Sequence, residues 1–145
     1  MMKPNQIFVF GSNRRGRHGS GAAKVALDKY GAIYGQGIGL QGQSYAIPTK
    51  YEGKMIKSDT LELGVIQFYV DGFLRFAREN PQYEFMITAI GCGLAGHKAE
   101  NIAPMFAGRP ENVKLPEEFL EVLLGMKDIP DYIKRTQMSF PKGAK

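Results

Sequence analysis

FMITAIGCGLAGHKAENIAPMF, residues 85–106, passes without a break from strand to glycine loop to helix. The apolar run from Tyr83 to Ile90 has the length of a buried strand. Gly91, Gly93 and Gly96 interrupt it, and a helix-compatible pattern resumes from Lys98 to Phe106. Backbone without side chains at those glycines can curl around an anion, and a helix start beyond it would add unpaired N–H groups and a positive dipole end. Gly91, Cys92, Gly93, Leu94, Ala95 and Gly96 are therefore candidate ligand residues, with phosphate as the expected ligand group.

A second strand–loop–helix unit lies at the start of the chain. Ile7 to Phe10 read as a buried strand ending at Gly11. The loop GSNRRGRHGSG follows, and Ala22, Val25, Ala26 and Tyr30 then recur at helical spacing up to the stop at Gly31. A carboxamide, guanidinium groups, an imidazole and hydroxyls crowd this one connection. Asn13 can orient a ribose hydroxyl or a water, and the arginines can neutralise phosphate. Asn13 and His18 are the candidate catalytic residues. The candidate ligand residues are Gly11, Ser12, Asn13, Arg17, Gly19, Ser20, Gly21 and Ala22. Ser20 serves equally well as a helix N-cap.

Between these units, residues 32–43 show no period and read as loop, and a short strand at Tyr45–Ile47 is cut by Pro48. The spacing of Val65, Ile66, Tyr69, Val70, Phe73, Phe76 and Ala77 predicts a helix over 61–79, opened by an Asp59/Glu62 capping box. A strand at 112–115 and a helix begun by Pro116, Glu117 and Glu118 and ended by Gly125 complete the pattern. Strands alternating with helices imply a single α/β domain, its sheet covered on both faces and its ligand beyond the strand carboxyl ends. The core spans about 7–125, and 126–145 reads as a tail wrapping the surface.

Composition narrows the function classes. A chain of 145 residues with 43% apolar content fills one core, and its single cysteine, Cys92, excludes an internal disulfide. No stretch is long and apolar enough to span a membrane, and MMKPNQ lacks the apolar core of a signal peptide, so a soluble, cytoplasmic protein is expected. The net charge of +5 is concentrated around Arg14, Arg15 and Arg17, which suits a local anion site better than a nucleic-acid face. Neither a metal nor a resident cofactor is expected. Two other chemistries remain open. Gly91, Gly93 and Gly96 satisfy GxGxxG, as do Gly37, Gly39 and Gly42, but Glu111 precedes the next strand where a dinucleotide fold wants an acid at its end. Cys92 stands near a possible helix start and six positions before Lys98, so a cysteine-dependent nucleotide phosphatase is a second possibility.

In the order of these elements the chain resembles a macro domain over roughly residues 7–125. IGCGLAG is similar to that family's diphosphate loop, GRHGSGAA to its other glycine-rich loop, and Asn13 to its ribose-facing asparagine. The likeness is greatest to a divergent macro-like branch of bacteria and phages. The resemblance implies a mixed sheet sandwiched between helices in three layers. It also implies a site for ADP-ribose or a similar nucleotide, with the diphosphate at Gly91–Gly96 and the distal ribose near Asn13 and Gly19–Ala22. ADP-ribosyl hydrolysis by a water held on Asn13 is the activity it implies, although Ser20 or Gly21 stands where many hydrolytic members carry aspartate.

Overall fold

Ile7, Phe8, Val9 and Phe10 form an unbroken apolar run because the strand they build is covered on both faces. The computed structural model describes residues 2–125. In it that strand, β1 (Gln6–Asn13), is the centre of a five-stranded mixed sheet ordered β2 (Gly39–Gln41), β3 (Ser44–Lys50), β1, β4 (Glu84–Ile87), β5 (Val113–Lys114). β1 runs parallel to β3 and β4, β4 runs parallel to β5, and β2 pairs antiparallel with β3. Alternate residues of β1 serve opposite faces. Ile7 and Val9 join a cluster with Ile47, Phe73, Phe85 and Phe106, whereas Phe10 packs with Ala23, Ala26, Ala32 and Ala46.

The smaller cluster lies under α1 (Gly21–Lys29). The larger one takes residues from α2 (Leu63–Glu79), the short α3 (Ala99–Ile102), a 3₁₀ turn at Ala103–Phe106, and α4 (Glu117–Leu124). The expected α/β class, with helices on both faces of a mixed sheet, is therefore observed. Among the described residues, no helix is long and apolar enough to cross a membrane. The tail expected at 126–145 lies outside the described residues.

Several boundaries differ from the sequence reading, each for a physical reason. β1 does not stop at Gly11 but pairs with β3 as far as Asn13. Pro48 does not end β3. β2 pairs only with Ser44–Ala46, so Pro48 lies beyond its reach, and the register with β1 shifts just after it. Within the expected loop 32–43, Gly39–Gln41 form the edge strand β2. The Asp59/Glu62 capping box does not form, because the Asp59 carboxylate instead accepts the N–H groups of Glu52, Gly53 and Lys54, while Glu62 accepts the Tyr51 hydroxyl. On α1 the buried positions are Ala23 and Ala26, and Val25, expected on that face, is exposed. The strand expected over 83–90 ends at Ile87, where Thr88 and Ile90 turn the chain.

Candidate ligand-binding site

After β1 the chain goes to α1 on one face of the sheet, and after neighbouring β4 it goes to α3 on the other. Such divergence opens a crevice at the carboxyl ends of the two strands. A cavity of about 460 Å³ occupies it, a volume in the range of small-molecule sites. Its walls come from Gly11–Asn13 at the end of β1, the α1 start, Thr49 and Lys50 at the end of β3, and the loop that follows β4.

The loop after β4 is held at its rim and open within. Cys92 N–H donates to the Ala89 carbonyl, Gly96 N–H to Gly93 and His97 N–H to Gly91. Two side chains pin it from α2's side of the cavity, Thr60 Oγ1 donating to the Ala95 carbonyl at 2.8 Å and His97 Nε2 lying 2.9 Å from the Leu61 carbonyl. Among the described residues the amides of Gly93, Leu94 and Ala95 donate to nothing, and all three residues line the cavity. Leu94, 51% exposed, reaches toward the opposite wall, where a Cβ on Gly21 would stand 4.0 Å from its Cδ1.

The α1 start faces the same space. Ser20 occupies the N-cap position, yet its hydroxyl caps nothing, and both it and the first-turn residues Gly21, Ala22 and Ala23 line the cavity. First-turn amides have no partner within their own helix. The helix expected after the glycine loop contributes less, since α3 is a single turn that begins only at Ala99. The positive helix end belongs to α1.

The loop after β1 commits Asn13 and Ser12 to protein partners. Asn13, 5% exposed, donates from Nδ2 to the Arg17 carbonyl at 2.9 Å and accepts the Arg17 N–H at Oδ1, also at 2.9 Å. Ser12 Oγ donates to the Gly37 carbonyl at 2.5 Å. Arg14 stacks over Tyr51, Arg15 lies 3.8 Å from Glu52, and only Arg17 of the three arginines lines the cavity.

Of the residues singled out from sequence, Gly11, Ser12, Asn13, Arg17, Gly19, Ser20, Gly21, Ala22, Gly91, Gly93, Leu94 and Ala95 all line this one cavity. His18, Cys92 and Gly96 do not. His18 is fully buried beneath the loop, edge-on to Phe10, with Nε2 2.9 Å from the Gln36 carbonyl and 3.2 Å from Gln41 Oε1. It holds the 31–42 segment and has no access to a ligand in the cavity. The Cys92 side chain packs against the larger core cluster. Burial pushes its thiol up, and the carboxylates of Glu118 and Glu100 push it further the same way, which is opposite to what a thiolate nucleophile needs.

Sequence reasoning missed Ala23, Thr49, Lys50, Gly53, Thr88, Ala89 and Ile90 on the lining. The pair Thr49–Lys50 was findable, since polar residues directly after an apolar strand are where ligands are met, but Pro48 reads in the sequence as the strand's end. Among the described residues, the only ionisable side chains on the lining are Arg17 and Lys50. Among the described residues no carboxylate, imidazole or thiol joins them. No protein-family model, curated protein or solved structure matches this chain.

Proposed function

We propose that this chain is a macro-domain-like module that binds ADP-ribose or a closely related nucleotide diphosphate in the cavity between the β1 and β4 loops. One observation carries the reading: among the described residues, the partnerless amides of Gly93, Leu94 and Ala95 and the α1 start line the same cavity, with cations as its only ionisable side chains. Free amides, a positive helix end and two cations together favour a multiply charged anion. The volume leaves room for more than the phosphates, as a nucleoside on one side and a sugar on the other require. The glycine loops at the walls of this space resemble the macro-domain pattern, which is why ADP-ribose is preferred to a simple phosphate.

Binding, rather than hydrolysis, is the role proposed. Cutting an ADP-ribosyl bond with water needs a group to take the water's proton. The described lining offers no carboxylate or imidazole to do so, and the Asn13 carboxamide, which can orient a water but not take its proton, already accepts the Arg17 N–H. A phosphatase acting through Cys92 is disfavoured by the direction of its thiol's shift and its place against the core.

Calorimetry and thermal shift against ADP-ribose, ADP and NAD test the proposal. ADP-ribose should bind and raise the melting temperature, since a ligand that binds only the native state stabilises it. NAD should do less. No heat and no stabilisation with any adenine nucleotide at millimolar concentration would refute it.

A further inference from the structure

Lys50 is 6% exposed, lines the cavity, and has its ammonium bonded to the backbone carbonyl of Lys54. An ammonium carries three donors, so two remain. The ion pairs among the described residues, Arg15–Glu52, Lys54–Glu52 and Lys24–Asp28, leave Lys50 out. Asp59, the buried acid of the same loop, already spends both oxygens on the N–H groups of Glu52, Gly53 and Lys54. A cation so enclosed, with one neutral carbonyl for company, costs stability until an anion joins it.

The geometry points to Lys50 as the residue that reads the ligand's charge: its ammonium binds a phosphate oxygen on the hydrogens that Lys54 leaves free. This rests on the cavity being the nucleotide site proposed above. Lys50 is neighbour to the amide loop through its bridge to Thr60, whose hydroxyl holds the Ala95 carbonyl. Lys50 and the Gly93–Ala95 loop line the same cavity from two walls, so one anionic group between them can meet both the ammonium and the amides. Arg17 also lines the cavity, but it is exposed and its charge is screened by solvent.

The test compares wild type, Lys50→Met, Lys50→Gln and Arg17→Met by calorimetry with inorganic pyrophosphate and with ADP-ribose, and by the melting temperature of each ligand-free protein. Lys50→Met should lose at least about tenfold in affinity for both ligands, the scale of a hydrogen bond to a charged group. Its ligand-free melting temperature should stay level or rise, because a buried charge without a counter-ion has been removed. Lys50→Gln should lose affinity similarly, and Arg17→Met less than either. Unchanged pyrophosphate affinity in Lys50→Met or Lys50→Gln would overturn the role of Lys50, while ADP-ribose binding by wild type would leave the proposed function standing. A fall in ligand-free melting temperature in both Lys50 variants would mark a structural residue and also overturn it. Pyrophosphate binding that depends on Lys50, with no ADP-ribose binding, would sink the nucleotide reading alone. Binding of neither ligand by wild type would sink both.

Discussion

The two glycine loops that wall the cavity divide their labour in the reverse of what their side chains suggest. The loop after β1 is rich in polar groups, and most of them hold protein: Asn13 bonds Arg17 within the loop, while Ser12 and His18 bond Gly37, Gln36 and Gln41 of the neighbouring 31–42 segment. The loop after β4 has little but backbone, and its Gly93, Leu94 and Ala95 amides are unspent. A connection dense in functional groups can be a scaffold, because a tight non-repeating loop leaves backbone groups that must find partners. A connection almost without them can be the binding element, because nothing competes for its amides.

That contrast yields graded expectations. The largest effect should come from the scaffold side. A Cβ on Gly37 would lie 2.2 Å from the Asn13 carbonyl oxygen, a backbone atom with nowhere to go. Gly37→Ala should therefore destabilise the fold by about 4 kcal/mol or more, the scale of severe overpacking in a locked site, read as a large fall in denaturant midpoint. A midpoint near wild type would show the loop to be looser than described.

On the binding side, a Cβ on Gly93 meets nothing within 4 Å, so Gly93→Val should fold normally. Its branched side chain obstructs the amide cradle, and affinity for ADP-ribose should drop by about a hundredfold, equivalent to about 2.7 kcal/mol. Retained affinity in the folded variant would move the diphosphate elsewhere.

How far this division was legible in the sequence depends on the residue. The unbroken apolar run Ile7–Phe10 and the apolar stripe of Ile66, Val70, Phe73 and Ala77 placed the central strand and the long helix, because burial on two faces imposes the run and burial on one imposes the stripe. The glycines at 91 and 93 placed the cavity's open wall. The fate of Asn13 and His18 was not readable, since a carboxamide or imidazole has the same sequence whether it meets a ligand or a loop carbonyl. Lys50 was hidden for another reason: it lies beyond a proline whose compatibility with β3 depends on where β2 stops pairing, a tertiary fact.

A middling effect should follow at Asn13. Asn13→Ala removes two hydrogen bonds that close the turn to Arg17, and should cost about 1–3 kcal/mol of stability, the price of leaving loop groups unsatisfied. Affinity should fall only in step with that loosening. Lost affinity with undiminished stability would return Asn13 to direct ligand contact.

The smallest effect belongs to Cys92. Cys92→Ser should leave nucleotide affinity unchanged within about twofold, because its side chain faces the core cluster and not the cavity. Its raised pKa carries a sign as well. The folded state holds the thiol's proton more tightly than the unfolded chain, so that contribution to stability is full below the ordinary thiol pKa and is lost as pH rises through the folded value. Alkylation of the native protein by iodoacetamide at neutral pH should accordingly be slower than that of a free thiol. Faster alkylation would revive the nucleophile.

Backbone amide chemical shifts, followed by NMR as ADP-ribose is added to the protein, test the central claim most directly. The account predicts that the amides of Gly93, Leu94 and Ala95 move most, with the first turn of α1 next and the interior of the Asn13–His18 loop little changed. Saturable shifts concentrated on Arg14–His18 with the Gly93–Ala95 amides still, or no shifts at all at millimolar ligand, would contradict it.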